Sequence, residues 1–130
     1  MSIRLVKEFA EKFNLPMEEK PSILEKAEFD FRHGRLNEEL HEFYDSQLLN
    51  DLAGCFDALL DLAYVTYGTA LRMGITPEQW ERGFEAVHKA NMAKIKVTDI
   101  DCSRFKNIND IVKPLGWQGP EPELKKIIGI

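Results

Sequence analysis

Between Leu52 and Leu71 the chain carries only two charged residues, Asp57 and Asp61, and no proline. A run this long and this apolar predicts either a membrane span or a helix packed inside a helical fold. Carboxylates at bilayer depth are costly, so the second outcome is expected: a buried core helix and no membrane association. Asp57 and Asp61 stand i, i+4 and therefore share a face. Around them are Phe56, Leu59, Leu60, Leu62, Tyr64 and Val65. Two like charges one turn apart in such surroundings repel each other and lose hydration, and a buried ion costs several kcal/mol unless something compensates it.

The remaining punctuation predicts more helices. Ile3, Val6, Phe9, Ala10 and Phe13 recur at helical spacing over Ser2 to about Asn14, with five charged residues interspersed, as in a helix and not a signal peptide. Leu15-Pro16 ends that helix. A second opens at Pro21-Ser22 and runs to about Gln47, with Gly34 as a weak point and Phe29, Leu36, Leu40 and Phe43 along one side. The third covers about Leu48 to Met73 and closes at Gly74. Thr76-Pro77-Glu78-Gln79 then supplies an N-cap, a proline at the first helical position and a capping box for a fourth helix reaching about Lys96. From Thr98 onward periodicity fades among Pro114, Gly116, Gly119, Pro120 and Pro122, with a short helix expected over Glu123 to Ile128. No strand pattern and no repeat is visible. The expectation is one all-α domain over 1–130, a four- to five-helix bundle with its helical core at 1–97 and an irregular C-terminal arm at 98–130.

The second helix bears Glu38, Glu39 and Glu42 in an E-E-x-x-E pattern. At 100° per residue Glu38 and Glu42 lie about 40° apart and Glu39 about 60° from Glu42, so all three occupy one edge. Asp45 extends that stripe and Arg35 stands near its other end. An acidic helix edge by itself is commonly a solvated face. Set against Asp57 and Asp61, it offers another solution: a cation shared between the two helices. Carboxylate oxygens without His or Cys favour Mg²⁺, with Mn²⁺ as a substitute. A structural pair of aspartates is the other reading.

On the fourth helix, Phe84, Val87 and Ile95 mark an apolar face into which Asn91 projects, with Lys94 about 60° away. An amide beside an ammonium can donate to phosphate oxygens; a side chain bonded to a neighbouring carbonyl is the alternative. The net charge of −5 disfavours nucleic acid as a partner but leaves a free nucleotide open, since a metal reverses the local sign. Cys55 and Cys102 fit no metal or disulfide pattern and are expected to be reduced thiols of a cytoplasmic protein.

Four segments in order now resemble the MazG-like, phosphoribosyl-ATP-pyrophosphohydrolase-like group of all-alpha NTP pyrophosphatases. They are Arg35-Leu-Asn-Glu-Glu-Leu-His-Glu42, Asp57 through Ala70, Val87-His-Lys-Ala-Asn-Met-Ala-Lys94, and Lys113-Pro-Leu-Gly-Trp117 in the arm. The resemblance implies Mg²⁺ held between the two acidic helices over a triphosphate, which is cut to the monophosphate and pyrophosphate in house-cleaning or pool control. Carried over residue by residue, Glu38, Glu39, Glu42 and Asp61 are metal ligands, with Glu38 or Glu39 activating water. Asn91 and Lys94 are phosphate contacts, and Arg32 or Arg35 assists. The group's usual E-x-x-D is not kept: Ala58 stands three before Asp61, and Asp57 substitutes from the same face. Tyr64, Tyr67, Phe31 and Trp117 are aromatic partners for a base, with core packing as the competing role. Lys113 and Trp117 can close over a site. Members of the group are homodimers or homotetramers, and a homo-oligomer is expected.

Three other readings remain. Phosphoribosyl-ATP is the alternative substrate. Glu38-x-x-His41 and Glu85-x-x-His88 match half of a di-iron bundle, but Asp57 and Asp61 sit on one helix where that scheme needs a carboxylate from each of two. The last is a helical metal- or nucleotide-binding module without turnover.

Overall fold

The computed structural model describes Ser2–Ile130 and contains five α-helices and one two-stranded antiparallel ladder among the described residues. These are α1 (Ser2–Lys12), α2 (Lys26–Leu48), α3 (Leu52–Arg72), α4 (Pro77–Met92), β1 (Ile95–Lys96), β2 (Ile111–Val112) and α5 (Glu121–Ile128), with a 3₁₀ turn at Ile100–Cys102. The chain is all-α, as expected. It divides into two compact units, Met1–Pro77 and Glu78–Ile130, and most of α4 lies in the second. Among the described residues no helix is long and apolar enough to cross a membrane.

In the first unit a three-residue turn folds α3 back along α2. Asn50 takes φ +53°, a left-handed conformation that asparagine tolerates. Asp51 N–H donates to Ser46 O at 2.9 Å, and Asp51 Oδ1 caps α3 by accepting from Gly54 N at 2.9 Å. A Cβ on Gly54 would stand 2.4 Å from that capping carboxylate, so the cap requires glycine. At its other end α3 closes in a Schellman motif: Gly74 N–H reaches Leu71 O and Ile75 N–H reaches Ala70 O, both at 3.0 Å, with Gly74 at φ +83°. The segment after α1 does not begin α2 at Pro21-Ser22. Ser22 N–H instead donates to Met73 O at 2.9 Å, which ties this stretch to the end of α3 and delays α2 to Lys26.

Packing corrects two expectations. α3 is not buried all round: Cys55, Ala58, Val65, Ala70 and Leu71 are buried, while Leu52 is 84% and Phe56 64% exposed. Stripe residues Cys55, Ala58 and Val65 share one face, with Asp61 about 60° off Ala58 and Asp57 about 100° off it. Asp57 is therefore exposed, and the burial cost expected of it does not arise. On α2, Phe29 and Leu40 are more than half exposed, and the one buried residue is Glu39. Glu28, Arg32, Leu36, Phe43 and Ser46 are partly buried on the same side. The inward stripe of α2 is thus mostly polar. From α1, Ile3, Val6 and Ala10 complete the core.

In the second unit α4 ends at Met92, not Lys96, because the chain turns into β1. Ile95 pairs with Val112 and Lys96 with Ile111, a ladder too short to leave an alternating pattern in the sequence. The intervening loop is pinned by Ser103, 1% exposed, whose hydroxyl donates to Asp110 Oδ2 at 2.7 Å and accepts from Phe105 and Asn107 N–H groups. Trp117 Nε1 donates to Ala90 O at 2.7 Å and holds the arm to α4. Cys55 and Cys102 are free thiols.

Two glycines should respond in opposite directions. Gly74→Ala puts a Cβ 2.5 Å from Lys20 O at positive φ and should cost about 1–3 kcal/mol. Gly34 has open space around its Cβ position within α2, and Gly34→Ala should stabilise by about 0.5–1 kcal/mol. Urea midpoints at constant m-value read both.

Candidate active site

Across the α2–α3 interface the structure brings Glu39, Glu42 and Asp61 together, with one carboxylate oxygen from each lying within 4.8 Å of the others. Glu42 and Asp61 reach solvent; Glu39 is 4% exposed, and its Oε2 has no hydrogen-bond partner. Its other oxygen lies 3.5 Å from Arg35 Nη2. Burial raises the Glu39 pKa above its ordinary value, and the charges of Glu42 and Asp61 and a hydrogen bond with Glu42 push in the same direction; Arg35 pulls only partly back. A buried carboxylate with a bare oxygen and two acidic neighbours is poorly satisfied by protein alone. Hard oxygen donors from two helices fit a divalent cation, which neutralises the mutual repulsion and occupies the bare lone pairs. This cluster can hold such an ion.

The other sequence-predicted acids lie outside that group. Glu38 is exposed and sits 3.8 Å from Arg35 Nη1. Asp57, one turn before Asp61, borders a shallow surface recess with Ala53, Phe56 and Leu60. His41 faces Asp45 at 3.7 Å, and neither E-x-x-H pair contributes to a three-ligand group among the described residues. That removes the support for a di-iron centre.

Arg35 also borders a cavity of about 340 Å³ between α1, α2 and α3, together with Tyr64, Phe9, Phe31 and Arg32. Tyr64 stands one turn beyond Asp61 on α3 and meets Phe9 edge to face at 5.6 Å. The wall carries Arg32, which the sequence singles out, and also Glu28 and Arg72, which it does not. Arg32 Nε donates to Glu28 Oε1 at 2.9 Å, Arg72 Nε lies 3.5 Å from the same oxygen, and Arg72 Nη1 donates to Glu18 Oε1 at 2.8 Å. Arg32 lies against Gly68, where a Cβ would come 3.1 Å from its Nη1. The i, i+4 spacing of Glu28 and Arg32 was a legible signal; the convergence of Arg72 on Glu28 was not, because it joins residues 44 positions apart in sequence.

Asn91 and Lys94 belong to the second unit. Asn91 is exposed at the end of α4, and its carbonyl accepts from Lys94 N–H at 3.0 Å. Lys94 Nζ lies 5.1 Å from the centre of the Trp117 ring.

A family model described as phosphoribosyl-ATP pyrophosphohydrolase matches residues 6–91, a span that includes both acid-bearing helices and the cavity. None of the curated proteins compared with the chain matches it. The matched span covers well over half the chain and contains the Glu39–Glu42–Asp61 cluster. The chain therefore belongs to the phosphoribosyl-ATP pyrophosphohydrolase family and is an all-α pyrophosphohydrolase.

Proposed function

We propose that the chain hydrolyses nucleoside triphosphates, NTP or dNTP, to the monophosphate and pyrophosphate with Mg²⁺, or Mn²⁺ in its place. The observation that carries this reading is the buried Glu39 with a bare oxygen, grouped with Glu42 and Asp61 beside an aromatic-lined cavity. Glu39, Glu42 and Asp61 would hold the ion, with Asp57 and Glu38 as further carboxylates on the same helices. When bound, the ion neutralises phosphate charge and acidifies water in the site. Glu38 or Glu39 orients the attacking water and accepts its proton. Arg35 steadies Glu39 and faces the cavity, where Tyr64, Phe9 and Phe31 offer aromatic surface to a base. Asn91 and Lys94 bind phosphates by resemblance to the family, as positioning and charge stabilisation.

Phosphoribosyl-ATP is the second reading, favoured by the description of the matched family. Both substrates lose pyrophosphate by the same chemistry. Leu40, Tyr44, Leu48, Leu52 and Phe56 are exposed along α2 and α3, which supports a homodimer or homotetramer. The two free thiols support a cytoplasmic setting.

A panel of NTPs, dNTPs and phosphoribosyl-ATP with Mg²⁺ should release pyrophosphate and not phosphate. Asp61→Asn should reduce turnover by more than about 100-fold, beyond the range typical of an outer-shell partner, at unchanged melting temperature. Turnover surviving that change would refute the assignment. In EDTA, Glu39 holds its proton in the folded chain at pH values where the unfolded chain has released it. The stability it contributes is full below the ordinary carboxylate range and is lost as pH rises through the raised value. Melting temperature should therefore fall more steeply with rising pH than in Glu39→Gln, and Mg²⁺ should restore it. Sedimentation velocity should find a species larger than one chain, and Phe56→Asp should shift it toward the monomer.

A further inference from the structure

The cavity beside Arg35 has three walls of one kind and a fourth of another. Val6 and Phe9 come from α1, Phe31 and Arg32 from α2, and Tyr64 and Gly68 from α3. The fourth wall is Leu15, Pro16 and Met17, which lie between α1 and α2 outside any helix. Asn14, at φ +51°, turns the chain out of α1, and Leu15 N–H donates to Ala10 O at 2.9 Å. From there the strap crosses to the end of α3. Glu18 N–H reaches Arg72 O at a long 3.4 Å, and Ser22 N–H reaches Met73 O at 2.9 Å. Backbone bonds alone leave this wall less firmly held than the helices around it.

Arg72 adds a side-chain tie. As the last residue of α3 it stands between two carboxylates. Its Nη1 donates to Glu18 Oε1 at 2.8 Å, and its Nε lies 3.5 Å from Glu28 Oε1 on α2. One cation thereby joins the strap to two helices. Its side chain is 13% exposed against 49% for Glu18, so salt screens the outer contact more than the inner one. Arg72 Nε is buried without a hydrogen bond, and the oxygen it faces already accepts from Arg32 Nε at 2.9 Å. A ligand group that draws Arg32 into the cavity frees that oxygen for Arg72. Filling the cavity and pinning the strap then favour each other.

We propose that Arg72 is a positioning residue that latches the strap, residues 15–22, over the cavity and so sets how tightly the nucleoside part of a substrate is held. The proposal rests on the nucleotide reading for what fills the cavity. The latch itself is a property of the free chain.

Hydrogen exchange in EDTA without ligand tests the latch alone. Amides of residues 15–22 should exchange about tenfold faster in Arg72→Met. Added salt should speed that exchange in the unmodified chain and not in Glu18→Gln. Glu18→Gln changes a half-exposed partner and spares the core, with an effect of about two- to threefold in the same direction. Calorimetric titration with a panel of ribo- and deoxyribonucleoside 5′-monophosphates then tests the function. Arg72→Met should weaken the tightest of them about tenfold, and Arg72→Lys, which retains one ion pair, should weaken it less. Mn²⁺ affinity should stay within about twofold, because Arg72 pairs with Glu18 and Glu28 and not with the carboxylate cluster. In turnover, KM should rise with kcat nearly unchanged. Equal monophosphate affinity in both variants, strap exchange indifferent to both changes, or a matching loss of Mn²⁺ affinity overturns the latch and leaves the hydrolase reading to Asp61→Asn. No monophosphate binding by the unmodified chain overturns it too. Absent pyrophosphate release, with the exchange and affinity effects intact, counts against the hydrolase reading alone.

Discussion

Placing a carboxylate in the seam between α2 and α3 is expensive, and much of the first unit is organised around that cost. Glu39 is removed from water, its Oε2 has no protein partner, and Glu42 and Asp61 add their charges to its surroundings. A hydrophobic residue of similar volume at this position would pack at less cost. Its retention has a physical rationale once the three oxygens are treated as a donor set. The helices bring hard ligands together from two sides, a set that could hold a divalent cation.

That arrangement shapes the rest of α2. Its inward stripe, Glu28, Arg32, Leu36, Glu39, Phe43 and Ser46, is mostly polar in place of a continuous hydrophobic seam. Apolar burial is supplied instead by α3 and α1, whose Ala58, Val65, Ile3 and Val6 are nearly inaccessible. The charged residues of the stripe are shared between two tasks. Glu39 serves the carboxylate cluster, while Glu28 and Arg32 join Arg72 and Glu18 in a partly buried network that braces α2 against the end of α3. Arg35 links the two regions, because one guanidinium contacts Glu39 and also borders the aromatic cavity.

The second unit solves a different problem with short-range devices. A two-residue ladder, a buried serine hydroxyl and one indole N–H order a stretch that buries few of its apolar side chains. Val97 and Ile127 are its most buried hydrophobic side chains. Lys94 and Lys113 each stand about 5 Å from the centre of the Trp117 ring that the indole hydrogen bond holds in place.

Local chemistry decided much in advance. Pro77 at the start of α4, Gly74 at the end of α3 and the 3.6-residue spacing of apolar side chains are near-neighbour effects, so five helices and the two acid-bearing segments were legible without a structure. Glu39, Glu42 and Asp61 were among the predicted ligands for the same reason: angles along a single helix follow from its pitch. The rotation of α2 about its own axis against α3 does not, and that rotation buries Glu39, leaves Glu38 at the surface and exposes Phe29 and Leu40. Asp57 was misjudged as buried because a helix apolar on every side carries no internal mark of which stripe will face its neighbour. The approach of Arg72 to Glu28 and of Lys113 to Trp117 likewise depends on chain crossings and ladder register. Those are fixed by packing among distant segments, which no local pattern records.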